Sequence, residues 1–578
     1  MNINRSNIVQ NLPILLDKVR QSHFIAIDFE MTGLNRSDIL RNNGFDTIQQ
    51  RYWKTKESVS VFQPIQLGIC PFRIHSPKKI EASPFNVYLT QYTENGKSDK
   101  LFLYSASTFN FLSQHNMDFN EVFKNGVYYF SRQQEEQFDS FKSLQGVRND
   151  IRQQIVQSQS FHFKEFMSLN EKTIELFMEN KRRKKLEFSL TEPRYATFYK
   201  ELEQFFQKKF PQQPVHFVYD LEKHYQRRKI TIQKLTEKSD IEDAQNLNSS
   251  KNVQQSQQNF EEYEMMNYNF RSIIDEIINL KIPIIVHNGF IDILHLYDKF
   301  LYNLPEGSLE FKKEINKHFP IIFDSKLIIN SSQKLSSEVN FQSDLRNCYE
   351  KMLKYKDIDS QIFISSDVNE PQEKEEIDNI KQNTLFSNYQ INGLKENNKM
   401  HEAGYDALMT GYIFFKSLQI LNILQSYGTP SFDAQTDYFQ NRLQLASLQT
   451  SYDIKDFDLS DSKSVDVFYI KQLNSVSAEN KVLQDFFNQQ LGSCKVYNIG
   501  NNLEQEYFVT STDKSKFKYF EQKLNSEYNG VDIFYQEGKY FQIKTYQKYI
   551  DDLQKIVKED KFTKIKNMDA VLDKLNQD

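Results

Sequence analysis

The sequence predicts an α/β protein: a mixed sheet flanked by helices, split by a small inserted α/β unit and followed by a second, smaller α/β domain. Three observations predict it. Apolar runs of strand length punctuate residues 1 to about 130. The same pattern resumes near Ile273 after a polar, charged interruption. Residues 464–548 then read strand, helix, strand, strand, helix, strand.

Taken in order, His23–Met31 (HFIAIDFEM) is a short apolar run and a buried strand, and Val59–Phe72 and Phe85–Thr90 give further strands. Residues 131–180 turn helical and polar. Glu192–Lys234 reads helix, loop and two strands, the last over Tyr225–Gln233. Ser239–Gln258 has almost no large apolar residue and reads as a solvated linker. Ile282–Val286 is a strand and Phe290–Leu301 a helix. Residues 334–395 read as a long, polar, irregular loop with fraying helices, and Gly404–Leu424 as a long helix. The last unit is Val465–Leu473, Ala478–Leu491, Cys494–Ile499, Tyr507–Thr512, Ser515–Tyr528 and Val531–Thr545, a ferredoxin-like order. The expected boundaries are 1–140 and 263–440 for the split main domain, 141–238 for the insertion, 239–262 for the linker, 464–548 for the last domain and 549–578 for a charged tail.

The chain has 578 residues, enough for three or four domains at roughly 150 residues each. Its net charge of −5 gives no global basic field, so any nucleic-acid site must be a local patch or must use cations to offset phosphates. The three cysteines, Cys70, Cys348 and Cys494, are far apart, which excludes a disulfide framework and fits a reducing compartment. Neither a signal-peptide core nor a run of 18 apolar residues is present, so the expectation is a protein neither secreted nor membrane-spanning.

The sharpest local signal is Asp28-Phe29-Glu30 inside an apolar strand. Side chains alternate along a strand, so Asp28 and Glu30 share a face. Two adjacent buried anions repel unless something positive lies between them, and a divalent cation with oxygen preference is the natural partner. A half-exposed strand with two solvated acids is the plainer alternative. Asp292 follows His287-Asn288-Gly289 at a strand-to-helix switch, where α/β sheets place ligands. In His401-Glu402-Ala403-Gly404-Tyr405-Asp406, a continuous helix would splay His401 and Asp406 by roughly 140° at about 100° per residue, but a loop-to-helix transition at Gly404 lets both face one cleft. Four carboxylates and a histidine on separate elements describe two-metal phosphodiester hydrolysis, with metals roughly 3.5–4 Å apart and His401 as general base.

These residues, in this order, resemble the DEDD exonuclease superfamily, and its DEDDh branch because the fifth residue is His401. FIAIDFEMTGL from Phe24, FQPIQLGICPF from Phe62, DFNEVFKNGV from Asp118, VHNGFIDILHLYDKF from Val286, FPIIFDSKLI from Phe319, HEAGYDALMTG from His401 and FQIKTYQKYI from Phe541 are similar to the poly(A)-specific ribonuclease (PARN) family, collinearly from about residue 10 to 550. The resemblance implies an RNase H-like nuclease domain and a Mg²⁺-dependent 3′→5′ exoribonuclease, a deadenylase releasing 5′-AMP. It implies two Mg²⁺ ions, which Mn²⁺ can replace, on Asp28, Glu30, Asp292 and Asp406, with His401 activating water. Lys326 matches a lysine that contacts RNA, and Leu34 an apolar side chain packed on a terminal base.

The insertion matches the family's small nucleic-acid domain named for an Arg-xxx-His signature, but Arg194-Tyr195-Ala196-Thr197-Phe198 puts Phe where His would stand. Residues 151–240 hold 18 Lys and Arg against 12 Asp and Glu, a local excess of about +6 carried chiefly by Lys181–Lys185 and Arg227–Lys229. The C-terminal unit resembles the family's RNA-recognition-motif (RRM) domain, where Tyr497, Tyr507 and Phe508 offer rings for stacking RNA bases. That domain in the family also stacks a 5′ cap on a tryptophan. Asn498 stands at that position here and the single tryptophan is Trp53, so cap binding does not carry over unless Tyr497 supplies the ring. The expected partner is a single-stranded RNA 3′ end, poly(A) above all, and the family implies a homodimer. Nucleus and cytoplasm both fit, and no membrane partner is expected. The alternatives are a general 3′-end trimmer of non-coding or small-RNA precursors, a DNA exonuclease and a catalytically inactive RNA-binding scaffold.

Overall fold

A computed structural model describes residues 1–37, 40–92, 101–137, 159–180, 182–190, most of 202–221, 228–234, 270–338, 344–355, 361–364, 401–424, 438–445, 451–456, 466–473, 480–499, 505–536 and 539–559. The expected linker and the Arg194–Phe198 stretch lie outside the described residues.

The chain opens with β1 (Asn2–Ile3), α1 (Ile8–Gln21), β2 (Phe24–Met31), α2 (Ile48–Val59), β3 (Pro64–Ser76), β4 (Lys79–Ala82), β5 (Phe85–Gln91), α3 (Ala106–Gln114), α4 (Phe119–Asn125), β6 (Val127–Tyr129) and α5 (Arg132–Gln137). The inserted unit supplies α6 (Gln159–Glu179), β7 (Lys185–Leu190), β8 (Val215–Leu221) and β9 (Arg228–Lys234). Next come α7 (Arg271–Leu280), β10 (Ile284–Val286), α8 (Phe290–Phe300), α9 (Ser308–His318), β11 (Ile322–Asp324), α10 (Ser325–Ser331), α11 (Gln333–Glu338), α12 (Leu345–Lys354), β12 (Gln361–Ile364), α13 (Ala403–Ile420), β13 (Arg442–Gln444) and β14 (Ser451–Asp453). The last unit holds β15 (Val467–Gln472), α14 (Asn480–Leu491), β16 (Cys494–Asn498), β17 (Glu506–Ser511), α15 (Lys514–Tyr528), β18 (Val531–Gln536), β19 (Lys539–Thr545) and α16 (Tyr546–Glu559).

The main sheet runs β1-β5-β3-β2-β10-β11-β13-β14, with β4, β6 and β12 branching from it. β5, β3 and β2 are antiparallel, whereas β2, β10, β11 and β13 are parallel. Central β2 is buried on both faces, which is why it reads as a nearly unbroken apolar run. Its odd residues Ile25, Ile27 and Phe29 join the core under α1, α7, α8 and α9. Its even residues Phe24 and Ala26 pack with Phe72, Phe323, Leu408, Phe414 and Phe415 under α13. Asp28 and Glu30 share that even parity, so β2 aims both carboxylates at the side where α13 begins.

The inserted unit is an antiparallel sheet, β7-β9-β8, covered by α6 through Phe166, Ile174, Phe177, Leu186, Ile230 and Ile232. Lys234 caps α6 by donating to the carbonyls of Met178 and Asn180, each 3.0 Å away. Arg182, Arg183 and Lys184, between α6 and β7, and Lys185, which opens β7, are exposed residues of the basic run. The stretch read from 334 as a loop with fraying helices holds most of α11, the ordered helix α12 and the strand β12; Cys348, Tyr349 and Met352 of α12 pack against α13. Their spacing of one, three and four is a helix face that the polar residues around it masked.

The C-terminal sheet has the order β16-β17-β15-β19-β18, with Phe468, Ile470, Tyr507 and Val509 packed under α14 and α15 on one face. The other face is covered as well. The helix α16 spans the expected boundary between the last domain and the charged tail at 549; its Tyr546, Tyr549, Ile550, Leu553 and Val557 lie over Val467, Tyr469 and Phe508, joined by Phe45 and Trp53 of the main domain. Apolar residues at this spacing make a helix stripe that seeks cover.

Candidate active site

Asp28 and Glu30 leave the end of β2 on the α13 side, and four local devices bring the other groups to them. First, β10 ends in the turn His287-Asn288-Gly289, and α8 begins with Asp292 in its first turn. Asp292 Oδ1 accepts from the backbone N–H of Phe29 at 3.2 Å, which fastens α8 between Asp28 and Glu30. Second, Asp324, fully buried at the end of β11, accepts from the N–H groups of Asn288 (2.9 Å), Gly289 (3.3 Å), Lys326 (3.0 Å) and Gln444 (2.9 Å). One carboxylate thereby shapes the turn that delivers Asp292.

Third, the start of α13 is seated on β3 and β5. Its N–H groups have no partner within the helix. Gln66 Oε1 accepts from Ala403 N at 2.9 Å, and Asn86 Oδ1 from Gly404 N at 3.2 Å. Gly68, paired with Asp28 across the ladder, lets the helix come this close. Fourth, His401 adopts a left-handed backbone (φ 62°), which turns its ring toward the strand side. A ligand atom each from Glu30, His401 and Asp406 lies within 4.8 Å of the others.

The electrostatics follow from this crowding. Burial first, then repulsion from Asp406, Asp292 and Glu30, pushes the Asp28 carboxyl well above the usual range. Glu30 is pushed up by burial and by Asp406 and Asp292. Burial raises Asp292 to about 7 against the Phe29 hydrogen bond, and burial with Glu402 raises Asp406 to about 8. Asp292 and Asp406 are each 8% exposed, whereas Asp28 and Glu30 keep partial access to solvent. Among the described residues no Lys or Arg pairs with any of the four. All-oxygen donors, mutual repulsion and no resident cation fit hard divalent ions. Burial and His115 lower the His401 pKa, so its imidazole is a neutral proton acceptor at neutral pH.

The five residues expected to act together thus converge. Leu34 is 52% exposed, and Lys326 is partly exposed on the first turn of α10. Two expectations for RNA stacking are corrected. Tyr507 faces the helices at 1% exposure, and Phe508 faces the other way but is 2% exposed under α16 and Phe45. Strand alternation divides such a pair between faces, but it cannot show that both faces are covered. Tyr497 stays 41% exposed with its ring 5.4 Å from Phe45.

No local sequence pattern marks Gln66, Asn86 or Asp324 as parts of the site. Gly68 did leave a signal, because a glycine inside an apolar strand marks a close backbone approach.

The CAF1 family ribonuclease profile matches residues 3–414. Poly(A)-specific ribonuclease PARN of Arabidopsis thaliana is 28% identical over 452 residues, covering 71% of this chain and 62% of that protein. PARN of Xenopus laevis is 27% identical, covering 75% and 64%. The pre-piRNA 3′-exonuclease trimmer of Bombyx mori is 26% identical, covering 72% and 70%. The chain therefore spans less than two thirds of the two PARN proteins. The mixed sheet with helices on both faces is the RNase H-like arrangement expected of DEDD nucleases, and with a matched region running from β1 into α13, this chain belongs to the CAF1 ribonuclease family.

Proposed function

We propose that this protein is a divalent-metal-dependent 3′→5′ exoribonuclease that removes adenosines from RNA tails and releases 5′-AMP. The observation that carries the proposal is the convergence of four carboxylates, Asp28, Glu30, Asp292 and Asp406, with no cationic partner among the described residues, beside the neutral imidazole of His401. The carboxylates would hold two Mg²⁺ ions, with Mn²⁺ able to replace them, and bound ions would supply charge stabilisation for the phosphoryl oxygens. His401 takes the proton of the attacking water. The water oxygen bonds to phosphorus, the bond from phosphorus to the 3′-oxygen breaks, and that oxygen takes up a proton to become the new 3′-hydroxyl. Leu34 and Lys326 are the contacts to a terminal base and to RNA that the family resemblance implies.

The C-terminal unit is read as an RRM-type domain that uses its sheet face for docking onto the main domain; RNA contact there falls to Tyr497. The inserted unit is read as a small RNA-binding domain working through Arg182–Lys185. A homodimer and a nuclear or cytoplasmic home follow from the same family reading. No helix among the described residues is long and apolar enough to cross a membrane.

The test incubates the full chain and Mg²⁺ with 5′-labelled RNAs ending in A, U, C or mixed tails, beside Asp28→Ala and an EDTA control. Stepwise loss of A, abolished by both controls, supports the deadenylase. Equal trimming of every tail replaces it with a general 3′-end trimmer; the Bombyx relative is named a pre-piRNA 3′-exonuclease trimmer. RNA retention without shortening leaves an RNA-binding scaffold.

A further inference from the structure

Catalysis by His401 needs its ring held at a set angle; the residue precedes α13 in a left-handed conformation, and its backbone N–H faces the Asp406 carboxylate, which ties the main chain but leaves the ring to be set by its neighbours. Its ring instead meets two others. Phe111 lies 4.6 Å away, centroid to centroid, at an interplanar angle of 70°. His115 lies 4.3 Å away at 74°. Both are edge-to-face contacts, which aromatic quadrupoles favour.

Phe111 and His115 are four residues apart at the end of α3, where helical side chains stack on one face, and their own rings are 4.3 Å apart. His115 Nδ1 lies 2.8 Å from the carbonyl oxygen of Phe111. A carbonyl oxygen only accepts, so Nδ1 carries the hydrogen, and this bond fixes the ring of His115. The far end of α3 is tied to the metal-side strand. Ser105 N donates to Thr32 O at 2.8 Å and Thr32 Oγ1 to Leu103 O at 2.7 Å, two residues past Glu30. Glu30, α3 and His401 are therefore linked by a short path through Thr32.

We propose that His115 is a positioning residue for His401: its ring, fixed by its bond to Phe111, forms the wall that sets the His401 imidazole toward Glu30 and Asp406. The role belongs to the ring as a surface and needs no proton from it. The inference rests on the exonuclease reading for its catalytic consequence, though not for the geometry.

The experiment compares wild type, His115→Ala and His115→Phe. Turnover of oligo(A) with Mg²⁺ should fall about tenfold in His115→Ala with KM unchanged, since small misplacements of a reacting group cost heavily. His115→Phe, which keeps a ring, should recover to within about twofold. Loss in KM alone, wild-type turnover in His115→Ala, or equal loss in both variants would overturn the proposal. A second readout needs no activity. In protein labelled with ¹³C at histidine Cε1, the His401 resonance, assigned with His401→Gln, should shift in His115→Ala and return toward wild type in His115→Phe. An unmoved resonance would sink the proposal even if no RNA is shortened. An inactive wild type with a shifting resonance would instead remove the exonuclease reading and leave the ring contact standing.

Discussion

A Cβ on Gly68 would lie 1.7 Å from the carbonyl oxygen of Ala403. Gly68 is the ladder partner of Asp28, and Ala403 opens the helix that carries Asp406. The absent side chain is thus what allows the α13 backbone to rest on the strand pair that holds the first two acids. The obstructing atom is backbone, so no side chain can swing aside. Gly68→Ala should lift the start of α13, move Asp406 and His401 off Asp28 and Glu30, and lower turnover by about 100-fold or more. Single-turnover assays under saturating Mg²⁺, with circular dichroism to show an intact fold, would check this. Wild-type turnover would mean that α13 slides without cost.

Removing a hydrogen bond to the same helix start should act more gently. Asn86 is fully buried and accepts from Gly404 N. Asn86→Leu leaves that buried N–H without a partner, which costs about 1–3 kcal/mol. Both thermal stability and metal affinity should drop, because folding and the placing of Asp406 use the same contact. A calorimetric Mg²⁺ titration showing affinity unchanged in a destabilised variant would separate the two and refute the link.

The sequence exposed the acids and concealed what seats them, for a physical reason. Asp28 and Glu30 stand out because charge inside an apolar strand violates burial statistics, and Asp292 because a strand-to-helix switch is a local pattern. Gln66 and Asn86 are ordinary polar residues in strands, and their partners lie 337 and 318 residues away, so no local pattern reveals them. Asp324 is the N-cap of α10, and its second oxygen also reaches Gln444 N, 120 residues away, which no local pattern shows. The C-terminal sheet shows the same limit. Periodicity located β15, β16 and β17, but the stretch Val531–Thr545, read as one strand, holds two, β18 and β19, paired antiparallel; the occupant of the sheet's second face, α16, was hidden because its apolar stripe is diluted by Lys, Asp and Gln.

The acids predict a pH-dependent response to metal. Without cations the folded chain holds protons on Asp292 up to about pH 7 and on Asp406 up to about pH 8. The unfolded chain releases them near pH 4. The folded state therefore binds more protons across this window, and the stability these groups contribute is present below about pH 4 and lost as pH rises toward 8. Mg²⁺ should offset that loss by stabilising the ionised form. The rise in melting temperature on adding Mg²⁺ should be small at pH 5, grow through pH 8, and largely vanish in Asp28→Asn. Differential scanning fluorimetry across the series would decide; a constant Mg²⁺ effect at all pH values would show that the ion acts elsewhere.

The contact between the two domains turns on Asp46. Its Oδ1 meets Lys54 Nζ at 2.7 Å, both side chains fully buried, and accepts from the Tyr546 hydroxyl of α16 at 2.6 Å. Asn43 Nδ2 donates to the same hydroxyl at 2.9 Å. Tyr546→Phe keeps the packing of α16 on Phe508 and removes only these bonds, so it should cost about 1.5–3 kcal/mol, as for hydrogen bonds to charged groups. Lys54→Met strips the buried carboxylate of its cation and should cost more, about 3–5 kcal/mol. If the C-terminal sheet serves docking and not base stacking, Tyr546→Phe should raise the rate of protease cleavage of the folded chain while leaving its RNA affinity unchanged. Limited proteolysis and filter binding would measure the two effects. A large fall in RNA affinity would instead return the covered face, Phe508 included, to the RNA path.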